Sequence, residues 1–174
     1  MPTVMSISGR VADAERLVEQ SVLLLEKNYS ANDLALLRPL QILAATRFDQ
    51  GKTAKAREAF KRMQSIPIQR PEDSALLRGM AAILLEGEGK LSEDEAEYLA
   101  ALHAWEEAGR GDRADAGAIL NGLGSLYMKE QRLADAREAL DRALAIFIRA
   151  KDAVAMDRIK VLNVRGVVNA RQGD

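Results

Sequence analysis

Apolar and small residues recur along this chain at helical spacings of three and four, in blocks that resemble one another. Residues 51–63, "GKTAKAREAFKRM", and 131–143, "QRLADAREALDRA", each carry a small residue, a larger apolar one four later, and a further one three after that. These are Ala56/Phe60/Met63 and Ala136/Leu140/Ala143. "GRVADAERLVEQS", residues 9–21, gives Ala14/Val18/Ser21, and "YLAALHAWEEA" gives Ala101/Trp105/Ala108. Such spacings put the three side chains on one helical face. The small residue admits a neighbouring helix, and the large one fills the gap beside it.

A second pattern alternates with the first. "AILNGLGSLYMKEQ" and "IKVLNVRGVVNARQG" align Leu120, Asn121 and Gly124 with Leu162, Asn163 and Gly166, 42 residues apart. Residues 38–51, with Leu40, Leu43 and Ala44, and 75–87, with Leu77, Met80 and Ala81, are weaker copies. The order predicts eight helices of two alternating types, joined by short polar turns. Val and Ile never alternate with polar residues in strand-like runs.

The stretch "LNGLGSLY…QRLADAREALDRALAI", residues 120–146, resembles a tetratricopeptide repeat. Leu120, Leu123-Gly124 and Tyr127 fill the places of the family's first helix, and Ala136, Leu140 and Ala143 those of its second. The 42-residue spacing and the Leu-Asn pair resemble the longer repeats of kinesin light chains. The chain departs from the pattern at Arg47, where the family prefers Tyr, and in lacking its early Trp. The resemblance implies an all-α fold, a right-handed α-solenoid of antiparallel helix pairs forming a TPR-like superhelix. One domain over residues 1–174 is then expected, with half repeats at 9–33 and 152–174 and repeats at 34–70, 71–112 and 113–151.

The middle repeat is expected to be irregular. Twelve residues separate Ala44 from Ala56, and Gly124 from Ala136, but twenty separate Ala81 from Ala101. Eight extra residues therefore fall around "EGEGKLSEDEAEY". Ser92 and Glu95 form a capping box that predicts a helix start near Glu93, longer than its siblings, after an exposed loop. The acidic "SEDEAE" reads as a solvated first turn. Pro39 either kinks its helix or marks where the regular part begins, and Pro71 sits near a helix entry.

Charge and composition narrow the function. Lys and Arg number 25 against 26 Asp and Glu, so a broad basic surface for nucleic acid is not expected. There is no cysteine, and His103 is the one histidine. No apolar stretch is long enough to span a membrane, and "MPTVMSISGR" lacks the pattern of a signal peptide, so a cytoplasmic location is expected. "GEGK" is similar to a phosphate loop only in part, because Leu91 and not Ser or Thr follows the lysine. "RGD" at 110–112 reads as a turn and an N-cap. His103, beside Trp105, Glu106 and Glu107, has no second convergent group and reads as a surface or packing residue. No catalytic, metal-binding or cofactor-binding residue is assigned, and no enzyme activity is expected.

The expected function is a protein–protein interaction scaffold, a fragment of a longer TPR protein. In the family that the chain resembles, the first helix of each pair lines a concave groove. Groove candidates follow from offsets to each small core residue: Arg38, Gln41, Arg78, Asn121, Ser125, Lys129, Lys160, Asn163 and Arg171. The set is net positive and suits an acidic or C-terminal peptide, although such charges also serve solubility, and Asn121 and Asn163 could instead tie helices together. A self-associating array and a peptide-sensing regulatory domain are the alternatives. The chain stops at "NARQGD", where a second helix is expected, and opens on a second helix without a first. An excerpt of a longer array is expected. The alternative is head-to-tail association, the apolar helix from Val161 to Val168 packing on the helix from Val11 to Leu25 of the next copy.

Overall fold

The computed structural model describes residues 4–89, 91–150 and 155–173, and the side chains of these except at 4–12, 91, 92, 156 and 172. Eight α-helices follow one another: α1 (Val4–Glu26), α2 (Leu37–Asp49), α3 (Thr53–Gln64), α4 (Pro71–Glu86), α5 (Leu91–Glu107), α6 (Ala114–Lys129), α7 (Leu133–Arg149) and α8 (Ala155–Gln172). A single 3₁₀ turn, Leu34–Leu36, precedes α2. The described residues contain no strand.

Local chemistry sets several of the boundaries. Asp33 caps the 3₁₀ turn, its carboxylate accepting from the Ala35 amide at 2.8 Å. Pro39 is the third residue of α2, so its missing N–H falls among donors that have no intrahelical partner anyway, and the regular helix begins beside it. Pro71 is the first residue of α4, followed by Glu72 and Asp73 in the first turn. Arg113, without a side-chain cap, precedes α6, so Asp112 is not the N-cap expected of it. His103 is exposed and lies 3.5 Å from Glu107.

The chain forms two compact units, Met1–Gln69 and Arg70–Asp174. In the first, α2 packs on α3 as a pair, and α1 lies against α2. Leu36, Leu37, Leu40, Leu43 and Ala44 meet Ala56, Ala59, Met63 and Ile66 in a dry core. Glu15 of α1 is buried beside this pair, accepting from Lys52 Nζ at 2.5 Å and Arg47 Nε at 3.2 Å. The Lys52 hydrogen bond leads in holding its carboxyl below the usual range. Ala14 and Ser21, expected to face a core, are exposed; Glu15 and Val22 are buried in their place, one residue around the helix.

In the second unit, α4 pairs with α5 and α6 with α7, and α8 packs on α7 and α6. Glycine permits the closest approaches. A Cβ on Gly124 would lie 2.5 Å from Leu140 Cγ, and one on Gly117 would lie 2.8 Å from Phe147 Cε1.

The middle pair corrects the expected register. Helix α5 starts at Leu91, as α7 starts at Leu133, 42 residues on. Tyr98, Ala101 and Trp105 are buried where Leu140, Ala143 and Phe147 are buried in α7. The residue matching Ala136 is therefore Asp94, and the residue matching Gly124 is Ala82, which is wholly buried while Ala81 is not. From Ala82 to Asp94 is twelve residues, so the eight-residue insertion does not exist. Helix α5 equals α7 in length, 17 residues. Gly87, Glu88 and Gly89 form the exposed turn, while Lys90 and the Ser92 side chain of the expected capping box lie outside the described residues.

Helices α2, α4, α6 and α8 end in the same device. Gly51, Gly89, Gln131 and Gly173 follow them with φ of 72°, 74°, 63° and 84°, and Gly109 follows α5 with φ of 66°. After α2, α4 and α6 this left-handed residue turns the chain back toward the helix that pairs with it.

Candidate interaction surfaces

In the second unit the first helices form a row. Helix α4 touches α6, and α6 touches α8. Gly79 makes the first contact close, since a Cβ there would lie 2.7 Å from Ile119 Cδ1. Asn121 sits half-buried in the middle of the row, and its Oδ1 has no hydrogen-bond partner among the described residues. One turn along, the Ser125 hydroxyl donates back to the Asn121 carbonyl at 3.1 Å. Lys129 donates to Glu86 Oε1 at 2.5 Å across to α4. Arg171 reaches from α8 to the Met128 carbonyl at 3.4 Å.

The other candidates sit apart from that cluster. Lys160 and Asn163 are exposed on α8. Arg38 and Gln41 bond each other at 3.2 Å on α2, in the first unit. Arg78 lies on the α4·α5 seam, where it donates to Glu97 at 3.1 Å. Ala82, not Ala81, is the buried small residue of α4, so the groove place three residues before it belongs to Gly79 and not to Arg78. The expected positive set is thus partly neutralised, since Arg78 and Lys129 already hold carboxylates of their own chain.

Glu86 is a node that the sequence reading missed. Its Oε2 accepts from the Tyr98 hydroxyl at 3.1 Å while Lys129 holds Oε1. Nearby, Asp94 is wholly buried, and neither carboxyl oxygen has a partner among the described residues. Burial pushes its carboxyl up to about 7, the Glu86 charge adds to the push, and Lys129 opposes it. Burial, with Glu86 adding to it, also raises the Tyr98 phenol strongly. Asp94 is therefore not part of a solvated acidic turn, and its 42-residue offset from Ala136 is the sequence signal that it faces inward.

A second polar cluster lies at a cleft between α5, α6 and α7. Arg132 donates to both oxygens of Glu95 at 2.9 and 3.0 Å and to Asp135 at 2.8 Å. Its guanidinium stacks 4.1 Å from the Tyr127 ring centroid. Leu99, Leu102 and Leu123 supply the apolar wall. Arg132 lies in a turn, outside the periodic positions that a helix pattern picks out. No group of three or more carboxylate or imidazole residues among the described residues converges as a metal site. No described helix is long and apolar enough to cross a membrane.

No family model matches the sequence, and no curated protein matches it. Among solved structures, the crystal structure of BtubC (BKLC) from P. vanneervenii is similar, with a TM-score of 0.66 and 24% identity. The match covers 97% of this chain and 68% of that one. At that identity the likeness carries the fold, and it joins the paired helices and their 42-residue register in one conclusion: the chain has an all-helical repeat fold, consistent with TPR-like repeats.

Proposed function

We propose that the chain is a protein-interaction scaffold that holds an extended polypeptide segment along the first helices of its second unit. The helical-repeat likeness supports an interaction role. Asn121 carries the choice of surface. Its half-buried amide lies mid-row, and its Oδ1, shielded from solvent, has no hydrogen-bond partner among the described residues. An extended peptide offers backbone N–H and C=O groups, and a carboxamide that turns outward about χ2 can answer both. Lys160 and Arg171 are exposed cations on the neighbouring helix and favour a ligand with an acidic residue or a free C-terminal carboxylate.

The test is selection of binders from a displayed library of random peptides. Asn121→Ala should weaken the selected peptides by roughly fivefold, the worth of about 1 kcal/mol for one hydrogen bond. Lys160→Glu with Arg171→Glu should remove any acidic bias among them. Peptides that bind the Asn121→Ala chain as tightly as the parent would sink the assignment of this surface.

A further inference from the structure

Two helices carry uncovered faces whose counterparts in the α2·α3 and α6·α7 pairs are covered. On α1, Ala14, Leu17, Ser21 and Leu24 are exposed, Leu17 by 58% and Leu24 by 62%. The matching positions of α3, 42 residues on, are Ala56, Ala59, Met63 and Ile66, all at most 2% exposed. In α7 they are Ala136, Ala139, Ala143 and Ile146, also buried. Those residues are the ones by which a second helix seats on its first. Helix α1 turns Glu15 and Val22 to α2 and leaves Ala14, Leu17, Ser21 and Leu24 bare.

Helix α8 shows the complementary half. Ile159, Leu162 and Gly166 are exposed, Ile159 by 48% and Leu162 by 49%. Their counterparts Leu37, Leu40 and Ala44 in α2, and Gly117, Leu120 and Gly124 in α6, are buried against α3 and α7. A Cβ on Gly166 would meet nothing within 4 Å, whereas one on Gly124 would strike Leu140. The residue of α1 that matches Leu140 is Val18, which is only half-buried.

We infer that α1 of one copy seats on α8 of a second copy, with Gly166 opposite Val18, rebuilding between molecules the helix pair that the chain forms internally as α2·α3 and α6·α7. The occupant is argued from position: the bare face of α1 carries, in register, the same small and apolar places that α8 lacks a partner for. Charge does not oppose the contact, since α1 holds four carboxylates and two arginines and α8 four cations and one carboxylate. The two faces differ, so the joint is heterologous, and it propagates head to tail or closes into a ring. The inference is independent of the peptide-binding surface, whose central residue, Asn121, takes no part in it.

The experiment is sedimentation velocity of the 174-residue chain from micromolar to submillimolar concentration, for the parent, Leu17→Lys and Gly166→Glu. The parent should gain mass with concentration beyond a dimer, unless a ring closes and mass plateaus. Each variant alone should remain monomeric, because one half of the joint is spoiled while the exposed position leaves the fold intact, which circular dichroism checks. The two variants mixed should form a one-to-one dimer, because each supplies the face that the other lacks. A parent that stays monomeric at every concentration overturns the inference. So does growth that either variant leaves unchanged, or a mixture of the two that stays monomeric.

Discussion

Asp94 stands in α5 where Ala136 stands in α7, both wholly buried, in helices of equal length that start 42 residues apart. A carboxyl thus fills a place built for a methyl group. Neither of its oxygens has a partner among the described residues, and the charge of Glu86 lies close enough to raise it.

Stability should therefore fall as the pH rises through neutrality. The folded state holds the Asp94 proton up to about pH 7, whereas the unfolded chain releases it near the ordinary 3.8. Between those values the folded state binds more protons than the unfolded, so each step up in pH removes stability. Asp94→Ala should abolish this slope and stabilise the protein at pH 8 by about 2–4 kcal/mol, with little change at pH 4. Urea unfolding of parent and variant at the two pH values measures it, and equal variant effects at both would remove the buried-acid account.

The same substitution should have opposite signs at two glycines related by the repeat. Gly124→Ala pushes a methyl into Leu140 and should cost about 1–3 kcal/mol. Gly166→Ala meets open space and should gain about 0.5–1 kcal/mol from helix propensity. Thermal melts at low protein concentration, where no copy-to-copy contact forms, compare the two directly.

Gln131 is the odd member of the five left-handed residues among those described, a side chain where the others are glycine. Gln131→Gly should relieve the Cβ clash of that conformation and stabilise the chain by roughly 1 kcal/mol. Denaturant midpoints should rise without a change in slope, since the surface exposed on unfolding stays the same.

Helix number, order and pairing were legible because they rest on apolar period, which the sequence repeats aloud at Ala56/Phe60/Met63 and Ala136/Leu140/Ala143. Register was harder. At Asp94 the side chain contradicts its place, and Ala101 is the next small residue on that face. Ala81 beside Ala82 adds a second ambiguity, and the two together mimic an eight-residue insertion and give Arg78 the offset of a groove residue. At α1 the pattern located the face that would seat on a first helix, and that face is bare; burial falls on Glu15, whose charge is held by Lys52 and Arg47. Contacts such as Lys129 to Glu86 and Arg132 to Glu95 join residues more than 35 positions apart, and no periodicity encodes them.

The spacing of twelve between the small residue of a first helix and that of its second recurs as Ala44–Ala56, Ala82–Asp94 and Gly124–Ala136. Between one pair and the next the distance is looser, 38 residues from Ala44 to Ala82 and 42 from Ala82 to Gly124. Length is thus guarded inside a pair and negotiable between pairs. Adding one residue within a helical part of the twelve would rotate the small residue of that helix by about 100° and carry it off the seam. Adding several beyond the second helix would lengthen a loop and leave every seam in place. A gene of this design can absorb insertions at its joints and many substitutions on its faces, while a single residue added inside a paired helix displaces the seam of that pair.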